Sequence, residues 1–142
     1  MSFELHPQLV QDTDVIGHFP LSIALLHKDQ AVPWVILVPK RENAKELHHL
    51  PIQDQQQFLL ESQTVSQALE ATFQPDKLNL GALGNIVSQL HVHHIARYKT
   101  DVAWPGPIWG NTEGKIRCES EQKAMLAKIQ NVLSLSKLFK KD

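Results

Sequence analysis

QLHVHHIAR, residues 89–97, sets three imidazoles within four positions of an otherwise apolar, strand-like run. Strands favour β-branched and apolar residues, and a titratable ring among them needs a hydrogen-bonding partner or a chemical role. Side chains two apart share one face of a strand. Read as a strand, the run projects Gln89, His91 and His93 on one side and Leu90, Val92 and His94 on the other. Leu90 and Val92 mark the second face for a core or a partner subunit. The first face is a line of amide and two imidazoles, about 7 Å from one to the next.

The neighbouring segments place this run in an antiparallel sheet. Residues 14–20 (DVIGHFP) read as a loop and 21–27 (LSIALLH) as a first buried strand. Residues 34–38 (WVILV), halted by Pro39, suit a central strand covered on both faces. A long helix is expected over 51–73, with Pro51 in its first turn and Phe58, Val65, Leu69 and Phe73 as its apolar stripe. Residues 78–83 and 86–97 read as strands joined by a hairpin turn at Gly84-Asn85. After a rigid WPGPIWG loop at 104–110, a closing helix is expected over 120–139, with Ser120 as its N-cap. Hairpins without βαβ alternation imply an α+β fold in a single domain, residues 1–142: a sheet of about five antiparallel strands, one long mid-chain helix and a C-terminal helix.

Composition narrows the function. The chain has 142 residues, 42% of them apolar and 20% charged, and a formal net charge of −1. That balance suits one globular domain and carries no basic footprint for nucleic acid. Lys137, Lys140 and Lys141 form the one basic run, read as a solvated helix end. Cys118 is the sole cysteine, which excludes an intrachain disulfide and a cysteine-based zinc site. No apolar run reaches the length of a membrane span and no secretory signal is visible, so a cytoplasmic protein is expected.

Taken by themselves, the histidines permit three readings. His91 and His93 could share a metal, with His48, His49 or an acidic residue as a further ligand. They could grip and attack a phosphate. They could also be satisfied polar residues on a half-exposed sheet.

The segment N79-L-G81-A-L-G84-N85 leads into Q89-L-H91-V-H93-H94-I95. Here the chain resembles the histidine triad (HIT) family of nucleotide hydrolases and transferases, whose motif alternates histidine with apolar residues after an Asn-x-Gly turn. A24-L-L-H27 and V32-P33-W34-V-I-L-V38-P39-K40 resemble that family's nucleotide-pocket strands. WPGPIWG resembles a bacterial branch of diadenosine polyphosphate hydrolases.

The resemblance implies that His91 is the nucleophile and His93 a second catalytic histidine, with His94 a structural bystander. Gln89 stands where the first triad histidine belongs and is expected to serve catalysis by hydrogen-bonding and orienting its neighbours, though it cannot titrate near neutrality. Trp34 falls on a further family histidine and is expected to wall the pocket. Asn79, Gly84 and Asn85 are expected at the phosphate chain and His27 at the ribose.

A neutral imidazole attacks an α-phosphorus through its lone pair, forming a phosphoramidate that water then releases. For this the remote nitrogen of His91 must be held by an acceptor, typically a backbone carbonyl. His93, if protonated, would donate to a non-bridging oxygen. There is no Walker-type lysine loop, and no cofactor is called for. A nucleotide substrate and a homodimer are implied as partners. Set against the enzyme are a nucleotide-binding module eroded at Gln89 and Trp34, and a metal-binding protein.

Overall fold

The computed structural model describes residues 3–142. Its first element is a short helix that the sequence pattern does not announce, α1 (Pro7–Asp12), opened by a proline at its start and by the His6 ring, which accepts from the Gln8 N–H. It leads directly into β1 (Thr13–His18), which takes up most of the segment 14–20 expected to be loop. Gly17, inside that segment, serves a close approach between chain segments. A Cβ at Gly17 would collide with the Phe139 ring and the Lys140 carbonyl. The strand carries an irregularity between Val15 and Gly17 in its antiparallel pairing with β2 (Ser22–His27).

β3 (Trp34–Pro39) is buried at every position, as its apolar run predicts. A 3₁₀ turn at Leu47–His49 precedes α2 (Ile52–Phe73), for which Pro51 is the N-cap residue. Phe58, Val65 and Leu69 bury the expected stripe, and Gln74 closes the helix in the left-handed region ahead of Pro75.

β4 (Lys77–Gly81) pairs antiparallel with β5 (Val92–Arg97), but not through a two-residue turn. Residues 82–91 form a longer connection, in which Gly84 has a φ of +72° and Ile86 is fully open to solvent. The strand expected over 86–97 therefore begins only at Val92. Before it the chain leaves the sheet, burying Val87 and Leu90 in separate cores and donating from the Leu90 N–H to the Ala44 carbonyl.

α3 (Glu119–Leu133) starts after Cys118 rather than Ser120, and ends six residues short of the expected boundary. Residues 134–139 turn back instead. They set Phe139 edge-on against Phe19, with ring centroids 5.4 Å apart, and lead into a two-residue strand, β6 (Lys140–Lys141).

The result is an α+β fold with one six-stranded antiparallel sheet in the order β4-β5-β3-β2-β1-β6. Each face carries a core. Ile16, Leu26, Val35, Leu37 and Val92 meet α2 and α3 on one side. On the other, Leu25, Trp34, Ile36, Val38 and Ile95 are covered by Leu9 and Ile108 from outside the sheet. Each fully buried aliphatic side chain contributes about 1.5–3 kcal/mol. Among the described residues no helix is long and apolar enough to cross a membrane.

Candidate active site

The histidines of the 89–97 run divide between these two faces. His94 points toward α2, where it is fully buried. Its Nδ1 lies 3.1 Å from the Val92 carbonyl and its Nε2 2.7 Å from Ser62 Oγ. A carbonyl only accepts, so Nδ1 carries the proton and Nε2 receives the serine O–H. Both nitrogens are satisfied, and burial holds the ring's pKa down to about 4. His94 is a neutral core residue, as expected of the bystander. Its partner is invisible in sequence: Ser62 occupies a place on the buried stripe of α2 with no mark of its pairing.

His91 and His93 lie on the opposite side, mutually edge-on with ring centroids 5.0 Å apart. His91, at the entry to β5, is 7% exposed, and its Nδ1 is 2.7 Å from the Gln89 carbonyl. The proton of a neutral His91 therefore sits on Nδ1, leaving the lone pair on Nε2. This is the acceptor that the sequence chemistry demanded, and it belongs to the main chain of Gln89. The side chain of Gln89 is otherwise engaged: its Oε1 accepts from the His6 N–H at 2.9 Å and its Nε2 donates to the Glu4 carbonyl at 2.8 Å. It fastens the N-terminal segment to the approach to β5.

His93 has the reverse arrangement. Trp34 stands opposite Ile95, two residues along β5, and its indole reaches diagonally across the sheet. Trp34 Nε1–H donates to His93 Nδ1 at 2.9 Å. Trp34 also stacks on His27, with centroids 4.0 Å apart and planes 10° from parallel. The Asp29 N–H donates to His27 Nδ1. Burial first, then the neighbouring His91, His27 and His94, hold the pKa of His93 down to about 3. Burial also lowers that of His27.

Trp109 closes this cluster, edge-on to His93 at 5.4 Å. Its ring lies over Gly81, where an added Cβ would come within 2.8 Å of it. The Trp109 Nε1 is buried without a partner among the described residues. The loop bearing Trp109 is anchored by Arg97, which is 1% exposed and pairs in two-pronged fashion with Asp101 while donating to the Gly106 carbonyl. That pairing holds the Asp101 carboxyl down to about 2. Asn79 belongs to the same network, its Oδ1 accepting from Arg97 at 2.8 Å. The sequence offered one clue to this anchor, an arginine ending an apolar strand.

The fold thus gathers His27, Trp34, His91, His93, Trp109 and Gly81 at one place. Asn79 is held by Arg97. Gly84 and Asn85 lie in the β4–β5 connection, where Asn85 is exposed and has no side-chain partner among the described residues. No group of three or more His, Cys, Asp or Glu side chains among the described residues is placed to hold a metal ion. His48 and His49 pack against one another in their 3₁₀ turn.

The sheet thus bears two histidines on one face and one built into the other, with a main-chain carbonyl behind the His91 ring. The HIT domain family model matches residues 8–100, and the chain belongs to that family. A histidine triad protein from Marinobacter aquaeolei is 43% identical, covering 95% of this chain and 98% of its own at a TM-score of 0.91. One from Bradyrhizobium japonicum is 41% identical over 94% of this chain and 99% of its own, at 0.90. A third, from Sinorhizobium meliloti, is 40% identical over 91% and 96%, at 0.88. No protein of curated function matches this chain.

Proposed function

We propose that the protein is a nucleotide hydrolase or nucleotidyl transferase. It acts at the α-phosphate of a dinucleoside polyphosphate or nucleoside phosphoramidate, through a His91–nucleotide intermediate. The observation that carries this reading is the 2.7 Å bond from His91 Nδ1–H to the Gln89 carbonyl. It leaves the Nε2 lone pair free to form the bond to phosphorus. As that bond forms, the bond from phosphorus to the leaving group breaks and its electron pair departs with that group, a polyphosphate as its oxyanion and an amine with a proton taken up from water. The imidazole becomes cationic, and the Gln89 carbonyl stabilises the charge at Nδ1–H. Water then attacks phosphorus and gives up a proton to solvent, the P–N pair returns to Nε2 and a nucleoside monophosphate leaves. Charge on the non-bridging oxygens needs fixed donors, each worth about 3 kcal/mol in the transition state. His93 and the glycine-bearing connection through Gly84 and Asn85 are the candidates, with His27 at the ribose and Trp34 and Trp109 as walls.

The partner in this reading is a second copy of the chain. Among the described residues β4 ends the sheet with an unpaired edge, and Leu80 on it lies exposed beside Ile52 and Leu59 of α2. Open strand edges with apolar side chains are rarely left uncovered. Sedimentation should give a dimer mass, and Leu80→Lys should give the monomer.

The catalytic test is intact mass spectrometry of protein quenched during incubation with diadenosine tetraphosphate or an adenosine phosphoramidate. An adenylate adduct on the wild type, absent from His91→Ala, is the expected result. No adduct and no product, with adenosine monophosphate still bound, would make this a nucleotide-binding module instead.

A further inference from the structure

We infer that Trp34 is a positioning residue that fixes the ring tautomer of His93, making it a neutral hydrogen-bond donor through Nε2–H. The indole N–H has one capability, donation, and it is spent on His93 Nδ1 at 2.9 Å. A nitrogen that accepts this bond carries no proton, so the proton of the neutral ring lies on Nε2. A histidine at position 34, as the family resemblance would place there, presents a donor or an acceptor according to its own tautomer. It leaves the choice at His93 open. Tryptophan removes that freedom.

The geometry holds the indole in place independently. Trp34 is 5% exposed, stacked on His27 and flanked by the β3–β5 ladder, so its N–H has a single direction. The titratable groups around the His93 ring are His91 at the entry to β5, His27 on β2 and His94 behind the strand. All are histidines, and among the described residues none offers His93 a carboxylate. Arg97, further along β5, is committed to Asp101. Nothing in this surrounding favours an imidazolium, which agrees with the lowered pKa. His93 thus donates while neutral, a different role from the protonated acid that the sequence chemistry suggested.

The use of this donor at a phosphate oxygen rests on the hydrolase reading. The tautomer itself does not, and its test is independent of turnover. Two-bond 15N–1H correlation spectra of the histidine rings at neutral pH should show His93 Nδ1 with a bare, pyridine-like shift and Nε2 with a protonated, pyrrole-like shift. A scalar coupling across the hydrogen bond should connect Trp34 Nε1 to His93 Nδ1. Trp34→Phe should abolish the coupling, mix the two tautomers of His93 and raise its titration midpoint. The bond removed had favoured the neutral ring.

If the protein turns over, kcat of Trp34→Phe should fall about tenfold with KM little changed, less than the 10²–10³ of deleting a donor outright. A protonated Nδ1 in the wild type overturns the inference, as does an unchanged tautomer in a folded Trp34→Phe. Should that variant not fold, the wild-type shifts and coupling still decide. A correct tautomer in a protein that forms no adenylate would sink the hydrolase reading and leave this one standing.

Discussion

Ser62 on α2 donates to His94 on β5 over 2.7 Å, and this bond joins the long helix to the strand whose other face carries the catalytic candidate His93. The bond is fully buried, so its loss leaves a ring acceptor unpaired in an apolar core. Ser62→Ala should lower stability by about 1–3 kcal/mol in urea denaturation. Combined with His94→Leu, the serine replacement should cost less than the sum of the two single changes, because the orphaned acceptor is gone. An unchanged midpoint for Ser62→Ala would remove the bond from the account of the fold.

Stability should fall as the pH drops below neutrality. His93 and His94 are held down to about 3 and about 4 from an ordinary 6.5. Between pH 6.5 and those values the unfolded chain takes up protons that the folded rings refuse. Unfolding is therefore favoured by up to about 1.4 kcal/mol per pH unit for each ring. His94→Leu should flatten the dependence between pH 6.5 and 4, measured as midpoint against pH. Asp101 works the same way at lower pH: its carboxyl, held near 2, gives stability above its ordinary 3.8 that is lost as the pH falls toward 2.

Gln89 should prove dispensable at its side chain. Its carbonyl orients His91 and survives any substitution, while its amide secures Glu4 and His6. Gln89→Ala should keep the rate of nucleotide release within a few-fold of the wild type. The main-chain amide of His6 should meanwhile exchange its hydrogen much faster. A loss of activity near that of His91→Ala would show that the amide itself takes part in the reaction.

Gly81 and Trp109 are coupled through close contact. In Gly81→Ala the new methyl would meet the indole at 2.8 Å, and the ring must move off His93 or the strand must shift. The expected cost is about 1–3 kcal/mol. Indole emission should also move to longer wavelength as Trp109 becomes more exposed. Trp109→Phe relieves the clash and should restore much of the lost stability in the double variant.

Breaking the Arg97–Asp101 pair strands a guanidinium whose side chain is 2% exposed. Asp101→Ala should therefore destabilise by about 3–5 kcal/mol. Proteolysis should then open the 98–110 loop before the rest of the chain, since that pair and the bond to the Gly106 carbonyl are its anchors.

Much of this protein was written in local order. The run of WVILV at 34–38 made a strand buried on both faces, and the spacing of Phe58, Val65 and Leu69 made a helix with one buried stripe. The triad motif brought His91 and His93 together and set His94 apart. Those features depend on residues a few positions from one another. Boundaries were less legible where distant chain intervened: residues 14–18 read as loop until Phe139 and Lys140 come to rest against Gly17, and the 86–91 segment reads as strand until Leu90 bonds Ala44.

The protonation pattern divides in the same way. His91 and His94 each bond the carbonyl two residues back, a relation contained in the strand and its approach. His93 takes its tautomer from Trp34, fifty-nine positions away, and His94 completes its bonds through Ser62, thirty-two away. Sequence determines which rings are present and on which face of a strand they fall. Where a proton sits on a ring depends on which group is packed against each nitrogen, and only the assembled sheet and helices bring those groups within hydrogen-bonding reach.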